Sequence, residues 1–402
     1  MSNTPKLRFP EFSGEWEEKK LSDFMTRLTR KNSNNESSRA LTISSVDGLI
    51  DQGEFFKKQI ASKDTSGYYL LKKGDFAYNK SYSVGYDYGS IKRLDRYEDG
   101  VVSTLYICMS LTSDTNSDYL THYFDSMKWN KSVSEISAEG ARNHGLLNIP
   151  TEAFFQTKHF LAPSSAEQQK IADFLSNVDS IITAEAKILN TLQKKKKALM
   201  QKLFTRQLRF KFDDGTDFPA WEEKKLGDVC SYIGGGTPSK KVKEYWNGNI
   251  NWASVKDITG KYLYETQDKI SQLGADSSAT NICEPDSLLL ITRMSPGKTV
   301  ITKCITAINQ DLKIVNSDIN VEFLHLLFQS IQTKIDEKTS GTTVKGISIE
   351  GLNQIDIRLP CKAEQQKITD CLSSMDSLIQ TQQKVVTTWQ QRKKALLQQM
   401  FI

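Results

Sequence analysis

Apolar side chains recur at alternating spacings of three and four along two stretches of the chain, residues 166–204 and 363–401. The first stretch places them at Ile171, Leu175, Val178, Ile182, Leu189, Leu192, Leu199 and Leu203. The second places them at Ile368, Leu372, Met375, Ile379, Val386, Trp389, Leu396 and Met400. Such spacing is a heptad seam, and with no Gly or Pro inside either stretch it predicts two long amphipathic helices. The two are copies of each other. At a constant offset of 197 about half the positions are identical, starting with Ala-Glu-Gln-Gln-Lys-Ile in both. Polar residues break the seam at matching places, Glu185 and Gln382, then Lys196 and Lys393. Breaks of that kind cost stability and fix register. Each helix is expected to be ~55–60 Å long at ~1.5 Å per residue. A lone helix cannot bury such a stripe, so its natural partner is its own duplicate. The pairing residues are then Leu175, Val178, Ile182, Leu189, Leu192 and Leu199 against Leu372, Met375, Ile379, Val386, Trp389 and Leu396.

The duplication continues outside the helices. Leu7-Arg8-Phe9 recurs as Leu208-Arg209-Phe210, and Trp16-Glu17-Glu18-Lys19-Lys20-Leu21 as Trp221-Glu222-Glu223-Lys224-Lys225-Leu226. The apolar face Leu120, Tyr123, Phe124, Met127 is matched by Leu324, Leu327, Phe328, Ile331. Offsets that stay near 200 while drifting by a few residues mean tandem duplication with loop insertions and deletions. Short strand candidates fill the intervening regions: Leu41–Val46, Asp75–Tyr78, Val101–Met109 and Phe154–Leu161 in the first. In the second they are Ile250–Val255, Ser287–Thr292, Thr299–Ile308, Leu312–Val315 and Ile355–Leu359. The expected fold is α+β: two similar globular domains with bent mixed sheets, separated by two long α-helices that form an antiparallel coiled coil. The expected domains are 1–165, 207–362 and the spacer helices 166–206 and 363–402.

Composition narrows the class. At 402 residues, 25% charged and 38% hydrophobic, the chain reads as soluble, with room for two or three domains. Its start, MSNTPKLRFPEF, has no signal-peptide core, and the aliphatic run Leu288–Ile291 is far too short to span a membrane. Six cysteines without CxxC spacing look like the reduced thiols of a cytoplasmic protein. The net charge is +5, and the two helices hold 12 basic and 7 acidic residues, which is the whole excess. The rest balances at 41 of each, so any nucleic-acid binding must use segregated local patches.

Catalytic signatures are missing from the sequence. Gly297-Lys298-Thr299 resembles the tail of a phosphate-binding loop, but Thr292 stands where that motif needs its leading glycine. Gly234-Gly235-Gly236 does not complete GxGxxG, because Ser239 occupies the last glycine position. The four histidines lie far apart; His122 and His325 read as ordinary helix residues, while His144 sits in a polar glycine-flanked loop. No cysteine or acid lies near a histidine at zinc-ligand spacing, and no Asn-Pro-Pro-aromatic tetrapeptide occurs. The lysine run 194–197 complements a helix C-terminus as a solvated face. What remains are glycine-bearing loops rich in side chains that hydrogen-bond base edges and phosphates. In the first lobe these supply Lys80, Ser81, Tyr82, Arg142, Asn143 and His144. In the second they supply Ser239, Lys240, Lys241, Arg293, Lys298, Gln310, Thr342, Thr343 and Lys345.

Two unlike lobes, each closed by an apolar-Pro…Glu-Gln-Gln-Lys-Ile segment leading into a long helix, resemble the specificity subunit of a type I restriction–modification enzyme. The Trp-Glu-Glu-Lys-Lys-Leu pair, Gly235-Gly236-Thr237-Pro238-Ser239, Thr292-Arg293 with Gly297-Lys298, Asn309-Gln310 and Ser340-Gly341-Thr342-Thr343 carry the likeness. The resemblance implies that each lobe is a target recognition domain reading half of a split double-stranded DNA site. It implies that the helices hold the lobes apart and dock two modification (methyltransferase) subunits, which restriction subunits join. S-adenosylmethionine, ATP and Mg2+ would then serve the partner subunits, and this chain would itself be non-catalytic. The first lobe departs from the pattern: it lacks Gly-Gly-Thr-Pro, and Lys80-Ser81 stands where Arg293 does. The neutral charge of the lobes also suits a different class, a two-lobed protein adaptor that never touches DNA.

Overall fold

A computed structural model describes residues 3–44, 47–56, 61–62, 64–83, 85–137, 147–341 and 344–402. The chain forms two compact units: residues 1–187 with 383–402, and residues 188–382. Two continuous helices run through both, Ser165–Phe204 and Lys362–Met400. Each unit thus contains a lobe, the first half of the helix that follows it, and the second half of the other helix.

The paired motifs of the sequence meet at one buried carboxylate in each unit. In the first, Glu167 at the start of the long helix accepts from Arg8 Nε (2.7 Å), Arg8 Nη2 (2.8 Å) and Trp16 Nε1 (3.2 Å). In the second, Glu364 accepts from Arg209 Nε (3.1 Å), Arg209 Nη2 (2.6 Å) and Trp221 Nε1 (2.9 Å). The neighbouring glutamines repeat their roles too: Gln168 donates to the Ala162 carbonyl and Gln365 to the Pro360 carbonyl. The Arg-Phe, Trp-Glu-Glu and Glu-Gln-Gln-Lys words are therefore three parts of one joint, which docks each helix start onto its lobe.

The far end of the other helix completes each core. In the first unit Phe401 packs edge-on against Trp16 (6.1 Å) and Tyr123 (5.7 Å), and Leu397 and Met400 join the cluster of Ile171 and Leu175. In the second, Phe204 lies against Trp221 (6.3 Å) and stacks on Phe323 (5.7 Å), while Leu203 clusters with Ile368 and Leu372. A helix end beside a helix start means antiparallel pairing in both units. Buried and half-buried positions recur at 178, 182, 185, 189, 192, 196, 199 and 203, the heptad spacing read from the sequence.

The polar breaks have partners. Lys196 binds Asp376, whose other oxygen lies 3.7 Å from Lys261, which in turn pairs with Glu322 at 2.7 Å. In the first unit Lys393 reaches Asp179 at 2.7 Å and Asp125 at 3.7 Å, and Asp125 pairs with Lys92 at 2.7 Å. Each crossing is thus pinned by an alternating chain of four charges that continues into the lobe. Lys194, Lys195 and Lys197 are exposed, as a solvated face requires, and Lys196 differs from them by its pairing.

Both lobes are α+β. The second holds a five-stranded sheet and a four-stranded sheet, with parallel pairs Ile250–Ala253 with Thr306–Ile308 and Tyr262–Leu263 with Thr299–Thr302 among antiparallel ones. In the first lobe a four-stranded sheet carries Phe76–Asn79 and Ile107–Leu111, and its described strand pairs are antiparallel. Three expected strands change. Val101–Met109 is two strands, Asp99–Val102 and Ile107–Leu111, parted by a turn in which the Tyr106 amide bonds the Ser103 carbonyl. Thr299–Ile308 likewise divides into Thr299–Thr302 and Thr306–Ile308. Phe154 and Phe155 close a short helix, Thr151–Phe155, and the strand begins only at Lys158. Val46, the end of the first expected strand, lies outside the described residues; that strand is Leu41–Ser44.

His122, His159 and His325 are buried. His159 accepts or donates to Tyr123 and Thr157 at 2.8 Å each, and burial lowers its pKa to about 3. His325 meets Thr299 and Gln329, and burial lowers its pKa to about 4. The six cysteines are free thiols, three of them buried.

Candidate nucleic-acid interface

The second unit brings three of its loops together around Asn309-Gln310-Asp311. The glycine loop comes first. Gly236 N donates to the Ile308 carbonyl, and the Thr237 hydroxyl donates to Gln310 Oε1 at 2.6 Å. Gly235 has to be glycine here, since a Cβ would lie 2.3 Å from the Ile308 carbonyl oxygen and 2.4 Å from that of Asn309. Trp252 Nε1 donates to the Gly236 carbonyl from below, which anchors the loop to the sheet. Beyond it Ser239, Lys240 and Lys241 are exposed, and Ser239 offers its carbonyl to Trp246 Nε1.

The next two loops meet through backbone pairing. Strand Leu288–Ile291 runs out into Thr292-Arg293-Met294, where Thr292 N donates to the Asp311 carbonyl. Ile347 N donates to the Thr292 carbonyl, and Met294 N donates to the Lys345 carbonyl (2.8 Å). Ser340 and Gly346 exchange two backbone bonds. Arg293 Nη1 sits 3.4 Å from Asp311 Oδ1, with the arginine side chain 56% exposed. Met294 has φ +72° and is 62% exposed, a strained backbone position of the kind that gathers at functional sites. Lys345 and Gln310 are exposed. Lys298 is exposed but lines another recess, of about 430 Å³, beside Lys196, Lys261 and His325. Thr342 and Thr343 lie outside the described residues.

The first unit repeats this framework with different side chains. Strand Phe76–Asn79 runs into Lys80-Ser81-Tyr82, and Leu147 N donates to the Lys80 carbonyl at 3.0 Å. That bond matches Ile347 to Thr292, so Lys80 stands at the register of Thr292 and Ser81 at that of Arg293. Lys80 is half-buried in a recess with Arg27, Tyr69 and Thr104, and burial lowers its pKa. Tyr82 is 56% exposed. The return of this loop passes so close that a Cβ on Gly89 would lie 2.0 Å from the Asn79 carbonyl oxygen. Arg142, Asn143 and His144, in the segment that leads to Leu147, lie outside the described residues.

These loops carry unpaired positive charge. Lys240, Lys241 and Lys345 are exposed with no carboxylate partner among the described residues, as are Lys225, Lys243, Lys298, Lys334 and Lys338 elsewhere in this lobe. Among the described residues no group of three or more His, Cys, Asp and Glu could hold a metal ion, and no helix is long and apolar enough to cross a membrane.

Residues 220–388, which span this loop cluster and most of the second long helix, match the family described as the type I restriction modification DNA specificity domain. That match covers less than half of the chain, and a likeness to specificity subunits of type I restriction enzymes extends beyond it. Among similar proteins, the MjaIX specificity subunit of Methanocaldococcus jannaschii is 30% identical over 189 residues, 45% of this chain and 44% of that one. The MjaVIII specificity subunit of the same organism is 23% identical over 420 residues, covering 97% of this chain and 92% of the relative. A solved chain from a type I restriction–modification system superposes with a TM-score of 0.59 at 18% identity, over 97% of this chain and 98% of that one, a likeness of fold. The stronger local match thus spans less than half the length of the relative it matches. The likeness of fold over nearly the whole chain fits the doubled architecture of lobe and helix found here. Within the site, sequence reading singled out Arg293 and Gln310 but not Asp311, which lies 3.4 Å from Arg293 and is held by Asn309. The signal was present as the tripeptide Asn309-Gln310-Asp311 between two apolar strands, a turn in which the Asp311 amide donates to the Asn309 side chain.

Proposed function

We propose that the chain is the DNA-recognition subunit of a type I restriction–modification enzyme, each lobe reading one half of a split duplex target. The observation that carries this reading is the repeated loop framework. In each unit, two loops distant in sequence share a matching backbone bond, Leu147 to Lys80 and Ile347 to Thr292, and differ in the side chains they present. Matching frameworks with unlike side chains suit two dissimilar half-sites, hence an asymmetric target. Exposed unpaired lysines beside Arg293 and Gln310 give the division of labour expected of a DNA reader. The cations hold phosphates, and arginine or amide groups address base edges.

The long helices act in this reading as the spacer between the readers and as the dock for two modification subunits and for restriction subunits. At ~60 Å for 40 residues, each is long enough to set half-sites about one helical turn, ~34 Å, apart. The protein itself is non-catalytic and works in the cytoplasm. S-adenosylmethionine, ATP and Mg2+ belong to the partner subunits. Binding of the chain, with its modification subunits, to random-sequence duplex at two salt concentrations tests the reading. A DNA reader loses affinity steeply as salt rises, because bound phosphates release counterions. Absence of any duplex binding would instead favour a protein adaptor.

A further inference from the structure

We propose that Asp311 is a positioning residue that commits Arg293 to a base edge, so that the second half-site carries an obligatory guanine. This rests on the DNA-reading role above and goes beyond it by naming the base and the residue that enforces it. Arg293 lies with Nη1 3.4 Å from Asp311 Oδ1, and Asp311 is held from three directions. Its amide donates to Asn309 Oδ1 (3.1 Å), its Oδ2 accepts from Asn309 Nδ2 (3.2 Å), and its carbonyl accepts from Thr292 N (2.9 Å) and Oγ1 (3.2 Å). Asn309 is 5% exposed and donates its own amide to the Ala253 carbonyl in the sheet. The carboxylate is therefore fixed to the lobe, and the more exposed guanidinium is the mobile partner of the pair.

A fixed carboxylate beside an exposed arginine has two effects. It draws one guanidinium nitrogen, Nη1, to ion-pair distance, which biases the direction in which the other N–H donors point. It also places a negative charge where a phosphate would approach, which penalises backbone contact relative to a neutral base edge. Guanine offers two acceptors, N7 and O6, on its major-groove edge and is the base that accepts an arginine fork in both teeth. Lys240, Lys241 and Lys345 have no such neighbour and suit phosphates. In the first lobe the register puts Ser81 at the place of Arg293, so that half-site carries no guanine requirement from this position.

The test uses the full chain with its modification subunits on a library of duplexes with randomised half-sites, read by methylation, together with a salt titration on one non-cognate duplex. The wild type is expected to require guanine at one position of the second half-site. Asp311→Asn should relax that preference roughly 10-fold and leave the first half-site unchanged. It should also steepen the salt dependence on the non-cognate duplex by about one phosphate contact, since Arg293 is released to the backbone. Arg293→Lys, which keeps charge without the fork, should relax the same position without steepening. Correct reading of the first half-site by the same molecules controls for folding; if Asp311→Asn fails that control, the Arg293→Lys result decides. Guanine absent from every second-half position of the wild type, or a preference that survives Arg293→Lys, would overturn the proposal. So would Asp311→Asn leaving the preference intact while Arg293→Lys removes it. A wild type without any sequence-specific methylation would overturn the DNA reading itself.

Discussion

Replacing Glu364 with Gln should destabilise the second unit by about 3 kcal/mol and leave the first intact. The carboxylate is about 1% exposed and accepts three hydrogen bonds, two from Arg209 and one from Trp221. Each bond to a charged group contributes roughly 1.5–3 kcal/mol, and breaking a buried pair from one side costs about 3–5 kcal/mol. Two circumstances place the loss at the lower end. Gln keeps one acceptor oxygen for Trp221, and the Arg209 side chain is 29% exposed, so its guanidinium regains water when unpaired. Arg8 in the first unit is 13% exposed, so Glu167→Gln should cost at least as much there. Urea denaturation followed by segment-resolved hydrogen exchange separates the units, since residues 188–382 and 1–187 with 383–402 are distinct compact bodies. A loss below about 1 kcal/mol, or an equal loss in both units, would refute the view that this carboxylate is the joint between helix and lobe.

Other outcomes follow from the same geometry. Gly235→Ala should displace the glycine loop from Ile308 and Asn309 and weaken reading of the second half-site alone, measured by half-site-resolved methylation. His325 has its pKa lowered to about 4, so it is neutral in the fold. The stability it provides is complete above about pH 6.5, where the unfolded residue is neutral too, and is lost as pH falls from there towards 4. At pH 5 the loss is about 2 kcal/mol, visible as a lower urea midpoint, and His325→Gln should flatten that dependence. Lys393→Met, which leaves Asp179 and Asp125 without their shared cation, should loosen the first unit's helix crossing, seen as faster amide exchange near Leu397. Inserting one heptad into each long helix should lengthen the unread spacer by about 3 base pairs, since ~10 Å of helix matches three steps of ~3.4 Å.

The architecture was legible where the sequence repeats itself. A heptad stripe without Gly or Pro admits few readings, and a duplicated stripe names its own partner. The joint at Glu167 and Glu364 was visible only as repeated words, because three motifs more than a hundred residues apart share one carboxylate in each unit. Strand limits were less legible. Ser103–Tyr106 and Lys303–Ile305 are turns inside apolar runs, and the polar ribbon Glu17–Lys20 has no period-two pattern because both its faces are largely solvated. Phe154 and Phe155 illustrate a tertiary override: β-forming residues held in a helical turn by the Phe154 ring stacking on Tyr78. In the site, polar glycine-rich loops could be recognised by composition. That Lys298 turns to a separate recess, and that Asp311 steers Arg293, depends on pairing across loops that sequence order does not show.

Mapping methylated adenines in cells that express the chain with its modification subunits tests the central claim most directly. Two short, dissimilar recognition elements separated by a fixed unread spacer, with Arg293→Ala altering one element alone, are the expected result. A continuous or palindromic motif, or a map unchanged by Arg293→Ala, would contradict the account of two unlike readers held apart by paired helices.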